Sequence, residues 1–405
     1  MLGYRNDGFA ATVTSVLSRT LITALVPVLA ACGGGGASPA SSAAEAGLSA
    51  QAALGAKIFA DASLSASGRL ACASCHSPGR AHGAANALAV QLGGAGLDQQ
   101  GRRSAASIAY LSFNAAFRFA ADGTPTGGFF WDGRATSLQD QAGQPLLGAA
   151  EMANTSKADV VAKLSRAAYA DEFRHVFGAD IFSRPDDAFS RLTLALAQYQ
   201  REDGDFHPFS SKYDEFLRGR ATLTAQESRG LALFNNPVKG NCAACHPSAK
   251  SPDGSLPLFT DFSFDNLGVP RNPAIARNAD PAYFDLGLCE RPELASRRDL
   301  CGAFKVPSLR NVALRPVFFH NGRFSSLKDA LTFYVQRDTN PEKWYPLRPD
   351  GSVDKFDDLP PELHGNVNTT EVPYNRRPGD APALSDAEID DLIAFLGTLS
   401  DGWAP

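Results

Sequence analysis

Apolar positions along this 405-residue chain gather into a few short helical runs, separated by long stretches with no regular period. Leu54-Gly55-Ala56-Lys57-Ile58-Phe59 has the look of an amphipathic helix, and Arg229-Gly230-Leu231-Ala232-Leu233-Phe234 repeats it weakly. Thr224 followed by Glu227 is a capping-box start for the second copy. Ser385 and Glu388 form another, after which Ile389, Leu392, Ile393 and Leu396 recur at helical spacing. Helices are also predicted over Ala188–Tyr199 and Leu327–Gln336. Strand patterns are scarce, and the Gly- and Pro-rich segments are long. The pattern predicts two all-α domains, residues 51–207 and 222–405, with a boundary at Pro208–Ala221 and each last helix packed on its domain's first.

Both copies of the repeat run into a Cys-x-x-Cys-His motif, Cys72-Ala73-Ser74-Cys75-His76 and Cys242-Ala243-Ala244-Cys245-His246. Each reads as a c-type haem site: two thiols for thioether bonds to the vinyl groups, and a histidine for the iron. A zinc site would need further Cys or His at matching spacing, and none pairs with either motif. Two covalent haem c groups supply much of a core, so cytochrome c-like domains with long irregular loops are the expected fold. Methionine is the usual sixth ligand of an electron-transfer cytochrome. The chain has only Met1 and Met152, neither in the half carrying the second motif. That haem is not expected to be an ordinary His/Met centre, which points to an enzyme.

Residues 1–31 read as a targeting segment, with Arg5 and Arg19 for charge and Leu21–Leu29 as its apolar core. Leu29-Ala30-Ala31-Cys32 resembles a lipobox, which would leave Cys32 lipidated; an ordinary signal peptide or a loose membrane anchor is the alternative. Residues 32–50, rich in Gly, Ser, Ala and Pro, then form a flexible tether. The expected location is the periplasm of a Gram-negative-type bacterium, held at a membrane surface. Cys289 and Cys301 remain; export favours a disulfide between them, free thiols being the alternative. Net charge is −5 with both signs dispersed, giving no basic stripe for nucleic acid.

Phe130-Trp131-Asp132-Gly133-Arg134, then Gln141, Pro145 and Glu151-Met152, resemble the bacterial dihaem cytochrome c peroxidase superfamily. Phe304–Val312 and Phe319–Phe324 match its C-terminal domain. The resemblance implies that Trp131 lies between the haems and that Glu151 is the distal acid–base for splitting hydrogen peroxide. Gln141 and Pro145 match distal-pocket positions of the MauG-type subgroup. No histidine occurs between Ala84 and Arg103, where classical peroxidases carry a distal ligand, and His82 is read as a proximal-rim loop residue. The first haem is therefore expected open.

Tyr334 falls where peroxidases place a methionine ligand and MauG-like enzymes a tyrosine. A phenolate there favours the higher iron oxidation states. The alternative makes Tyr334 a core aromatic and gives the iron to a residue such as His364. Tyr334–Pro346 resembles the methanobactin-associated MbnH subgroup, whose members oxidise a tryptophan of a partner, MbnP. Trp344-Tyr345 is read either as an electron-exit route or as a loop packed by its own aromatics.

Two departures stand out. Gly240 occupies the position of MauG's exit tryptophan. The superfamily's inter-haem calcium positions correspond to Ser104, Arg315 and Val317, where the Asn is lost and an arginine gained; main-chain carbonyls need no given side chain, so the resemblance leaves an inter-haem calcium open as a further cofactor. The resulting expectation is a dihaem oxidase that reacts with peroxide and stores two oxidising equivalents over both haems as a shared Fe(IV) state. It would then oxidise a tryptophan of an MbnP-like periplasmic partner. The first rival is a cytochrome c peroxidase fed by a small cytochrome or cupredoxin, and the second a dihaem electron carrier.

Overall fold

The structure, a computed structural model, describes residues 47–405. The targeting segment, Cys32 and most of the tether lie outside the described residues. The helices are α1 (Ala50–Ala60), α2 (Cys72–Cys75), α3 (Leu138–Leu147), α4 (Lys157–Leu164), α5 (Ala170–Phe177), α6 (Pro185–Glu202), α7 (Lys212–Leu217), α8 (Ala225–Asn235), α9 (Leu327–Gln336) and α10 (Asp386–Gly397). Strands are confined, among the described residues, to four two-stranded antiparallel ribbons. The fold is mostly helical, as the apolar pattern implies.

The weak repeat has a packing cause. Helix α1 crosses α6, and α8 crosses α10. A Cβ at Gly55 would stand 2.1 Å from the Ala195 carbonyl oxygen, and one at Gly230 would stand 2.1 Å from that of Asp391. Each glycine thus admits the backbone of the helix that crosses it, α6 or α10. Around the first crossing Leu54, Ile58, Leu192 and Leu196 are buried; around the second, Phe234, Leu392, Phe395 and Phe333. Each such side chain contributes about 1.5–3 kcal/mol of transfer free energy.

Caps set the helix ends. Ser49 accepts from the Ala52 amide, so α1 begins at Ala50, one residue before the expected domain start. Thr224/Glu227 and Ser385/Glu388 both close full capping boxes. Helix α6 outruns the predicted Ala188–Tyr199 because Pro185 starts it, and Asp186 and Asp187 suit its positive end. The expected boundary segment is itself structured. A Ser211/Asp214 box opens α7, whose Tyr213 joins the second core.

Arg310, from the Phe304–Val312 motif, pins that segment. Its guanidinium donates to both Asp214 carboxylate oxygens, at 3.0 and 2.8 Å, and to the Pro257 carbonyl at 2.9 Å. It lies 4.7 Å from the Tyr110 ring and 4.5 Å from that of Phe209. No helix among the described residues is long and apolar enough to cross a membrane.

Candidate active site

Two cavities stand where the Cys-x-x-Cys-His motifs lie. The first is lined by Cys72, Cys75 and His76, with Trp131, Gln141, Pro145, Glu151 and Met152 around it. Its histidine is set by a tight ribbon. His76–Ser77 pairs with Gly83–Ala84, and the turn between them passes through left-handed backbone at Ala81 and His82. That turn brings the His82 carbonyl 3.2 Å from His76 Nδ1. The His82 ring stacks on Phe206 at 3.9 Å and does not line the cavity. It belongs to the proximal side.

Gln141 and Pro145 lie one turn apart on α3. The chain then turns at Gly148, where a Cβ would fall 2.2 Å from a Glu151 carboxylate oxygen; glycine there leaves room for the carboxyl. The Glu151 carbonyl accepts from the Gly94 amide at 2.8 Å, and its amide donates to the Gly148 carbonyl at 2.9 Å. The Glu151 side chain is exposed and lines the first cavity. Desolvation by the surrounding protein still holds its pKa above the ordinary value, and the positive charge of Arg134 opposes that rise.

The second cavity is lined by Cys242, Cys245, His246, Tyr334 and Tyr374, with Trp131 and His320 at its other side. His246 Nδ1 is 2.7 Å from the Phe259 carbonyl. Tyr334 projects from α9, its ring 5.6 Å from Phe319 and 6.0 Å from Tyr374. Its hydroxyl has no hydrogen-bond partner among the described residues, and burial pushes its pKa up. His364 lies outside this cavity, its Nε2 3.0 Å from the Leu359 carbonyl. Trp344 is only 8% exposed and packs on Phe324 and Phe333, while the Tyr345 hydroxyl donates to the Gly268 carbonyl at 2.6 Å. Their loop is packed by its own aromatics.

The donor set suits two covalently held haems. All four motif thiols are free. In both histidines Nδ1 faces a backbone carbonyl, that of His82 for His76 and that of Phe259 for His246. Burial lowers both imidazole pKa values, keeping the rings neutral as an iron ligand must be.

Trp131 lines both cavities. Its Nε1 donates to the Ser104 carbonyl at 2.9 Å, and its own carbonyl accepts from the Lys305 amide at 2.8 Å. Gly133 has φ +67°, and a Cβ there would meet the Phe264 ring at 2.7 Å, so the loop after Trp131 requires glycine. Asp132 accepts from Arg103 at 2.6 Å, and Arg103 also donates to Asp285 at 2.7 Å. Burial acts against these charges, yet their mutual attraction lowers both carboxyl pKa values and raises that of Arg103. Cys289 and Cys301 form a disulfide. The loop it closes carries Arg291, which donates to the Gly133 carbonyl at 3.0 Å, and Glu290, which pairs with Arg102 and Arg103.

At the calcium positions the Ser104 carbonyl accepts from the Trp131 indole, the Ser104 hydroxyl is buried without a hydrogen-bond partner among the described residues, and the Arg315 guanidinium stands 3.5 Å from the Ala105 carbonyl.

A tryptophan against two cavities, each with a neutral histidine behind paired thiols, defines a dihaem peroxidase-type oxidoreductase. The di-haem cytochrome c peroxidase family matches residues 49–222. MauG of Paracoccus denitrificans is 38% identical over 362 residues, covering 86% of this chain and 88% of that protein. The crystal structure of the dihaem peroxidase BthA from Burkholderia thailandensis E264 superposes with a TM-score of 0.79 at 42% identity, covering 87% of this chain and 86% of that one. A MauG-like protein associated with microbial copper homeostasis superposes at 0.62 with 28% identity, over 88% of this chain and 91% of that one. The chain therefore belongs to the dihaem cytochrome c peroxidase/MauG family of oxidoreductases, whose cofactors are two haems.

Three groups at these cavities escape sequence reasoning. Tyr374 is a second phenol beside Tyr334, and the Arg103–Asp285 pair joins positions 182 residues apart. The adjacent Arg102-Arg103 just before Ser104 was the only hint of that pair.

Proposed function

We propose that this chain reacts with hydrogen peroxide at the first cavity, holds the resulting oxidising equivalents over both haem sites, and uses them on a tryptophan of a docked periplasmic partner protein of MbnP type. The observation that carries this reading is Trp131 lining both cavities, with Glu151 in one and Tyr334 in the other. The haems, when bound, supply the iron that reacts with peroxide and stores the equivalents. Everything else falls to the chain. Cys72 and Cys75 hold one group and Cys242 and Cys245 the other, while His76 and His246 offer Nε2 to iron. The Glu151 carboxylate takes a proton from peroxide and returns it to the departing oxygen. Gln141 and Pro145 shape the approach to that carboxyl. The Tyr334 hydroxyl, without a hydrogen-bond partner among the described residues, would be the second iron's other ligand and would lose its proton on binding. The likeness to a MauG-like protein associated with microbial copper homeostasis is consistent with the MbnH-like subgroup on which this reading draws. Cys32, in this reading, is lipidated and keeps the enzyme at a membrane surface.

A cytochrome c peroxidase fed by a small redox protein is the second reading. It is favoured by the likeness to the peroxidase BthA and by Trp344, which is packed in the core and offers no exit at the surface. The two are separated by adding one equivalent of peroxide to the ferric holoprotein, followed by stopped-flow absorption and EPR, in wild type and Tyr334→Phe. Loss of both ferric signals with a near-infrared band absent from the variant supports the oxidase. Reaction only after half-reduction, with turnover on reduced cytochrome, selects the peroxidase. Inertness in every redox state leaves an electron carrier.

A further inference from the structure

Several enclosed arginines are paired: Arg103 holds Asp132 and Asp285, Arg310 holds Asp214, and Arg337 holds Asp338. Arg315 lines the second cavity, yet it forms no ion pair with any carboxylate among the described residues, and its one hydrogen bond among them is a long 3.5 Å one to the Ala105 carbonyl. Ala105 and Ser104 line the first cavity, and the Arg315 charge also reaches His76. The guanidinium therefore lies in the wall of the second haem site and reaches, through Ala105, toward the wall of the first. Burial lowers its pKa only to about 10, so it remains a cation at neutral pH.

A guanidinium left without a counter-charge in such a place is costly unless an anion completes it. Its planar fork of donors matches a carboxylate, and the haem propionates are the carboxylates these cavities bring. The same charge repels a metal ion, and the Ser104 carbonyl is already committed to Trp131.

We propose that Arg315 is the resident cation between the two haem sites, pairing with haem carboxylates and standing where a divalent metal ion would otherwise be required. As a positioning residue it acts on the irons through charge alone. A fixed positive charge disfavours the oxidised, more positive iron, so its loss lowers the reduction potential.

The test uses the haem-loaded protein as wild type, Arg315→Lys and Arg315→Gln. Elemental analysis measures divalent metal, and spectroelectrochemical titration in EGTA and in calcium chloride measures the potentials. The expected wild type holds no stoichiometric calcium or magnesium and titrates identically in both media. Arg315→Gln shifts the one-electron equilibrium of at least one haem at least tenfold toward the ferric form, about 59 mV, and Arg315→Lys recovers most of that shift. One tightly held divalent ion per chain, or potentials that move with EGTA, overturns the metal replacement. Wild-type potentials in Arg315→Gln overturn the carboxylate pairing. Should Arg315→Gln fail to load haem, the wild-type metal content and the Arg315→Lys potentials decide. None of these readouts involves peroxide or a partner, so their failure leaves the proposed function standing.

Discussion

Replacing Arg310 with methionine tests the physical reason for the Phe304–Val312 motif. Arg310 and Asp214 side chains are 1% and 0% exposed, and two hydrogen bonds of 3.0 and 2.8 Å join them. Methionine fills similar volume between the Tyr110 and Phe209 rings but leaves the Asp214 carboxylate with only its Ser211 partners. Removing one member of a buried pair costs about 3–5 kcal/mol, which in one unit spanning the described residues lowers Tm by about 4–7 °C. The pH dependence fixes the cause. Burial raises the Asp214 pKa, but Arg310 outweighs it and the net shift is downward. A lowered folded-state pKa means that the stabilisation is full above the unfolded value and is lost as pH falls through the folded one. Without Arg310 the folded pKa rises instead, and acid then relieves the variant as the carboxyl takes a proton. The gap in Tm between wild type and Arg310→Met is therefore widest at neutral pH; it starts to narrow as pH falls through the variant's raised Asp214 pKa and narrows further below about pH 4, where wild type loses its own stabilisation. Calorimetry of the haem-loaded proteins, with Arg310→Met/Asp214→Asn recovering most of the loss, measures this. A deficit no larger than a surface substitution's, about 0.5 kcal/mol, or one that does not change with pH, refutes the argument.

Other expectations follow from the cavities. Glu151→Gln slows the reaction with peroxide by about 10²–10⁴-fold. In wild type that rate falls with acid through a pKa above the ordinary glutamate value, because desolvation raises it; stopped-flow rates against pH check both, and an unchanged acid limb in the variant would clear Glu151 of the role. Trp131→Phe keeps an aromatic wall but orphans the Ser104 carbonyl, at a stability cost of about 1–3 kcal/mol. It also removes the near-infrared band while both Soret bands remain; a persisting band would show that the haems communicate without the indole. Replacing Cys289 and Cys301 by serine reopens a loop with a sequence separation of 12, costing about 3 kcal/mol in the chain-entropy model, seen as a lower Tm that reductant no longer affects.

The parts of this protein that repeat or recur locally were legible, and the parts made by distant charges were not. Helix α9 was readable to the residue, and the Gly55 and Gly230 positions emerged from a six-residue repeat, because helical packing leaves a period in the chain. The two Cys-x-x-Cys-His turns were readable because haem attachment needs its ligands adjacent. Trp131, Glu151 and Tyr334 became readable only through a resemblance; as bare residues they have no periodic or spacing signature. The Arg103–Asp285 pair lies beyond either route. Its partners are 182 positions apart, and Arg103 looks like any surface arginine until the fold buries it against Asp132. Arg315 carries the same lesson further. By alignment it is an arginine gained at a position of the family's calcium site, with nothing in the sequence to say where its charge goes. In the folded chain it lines the second cavity without an ion pair among the described residues, so its weight lies in the electrostatics that only the fold assembles.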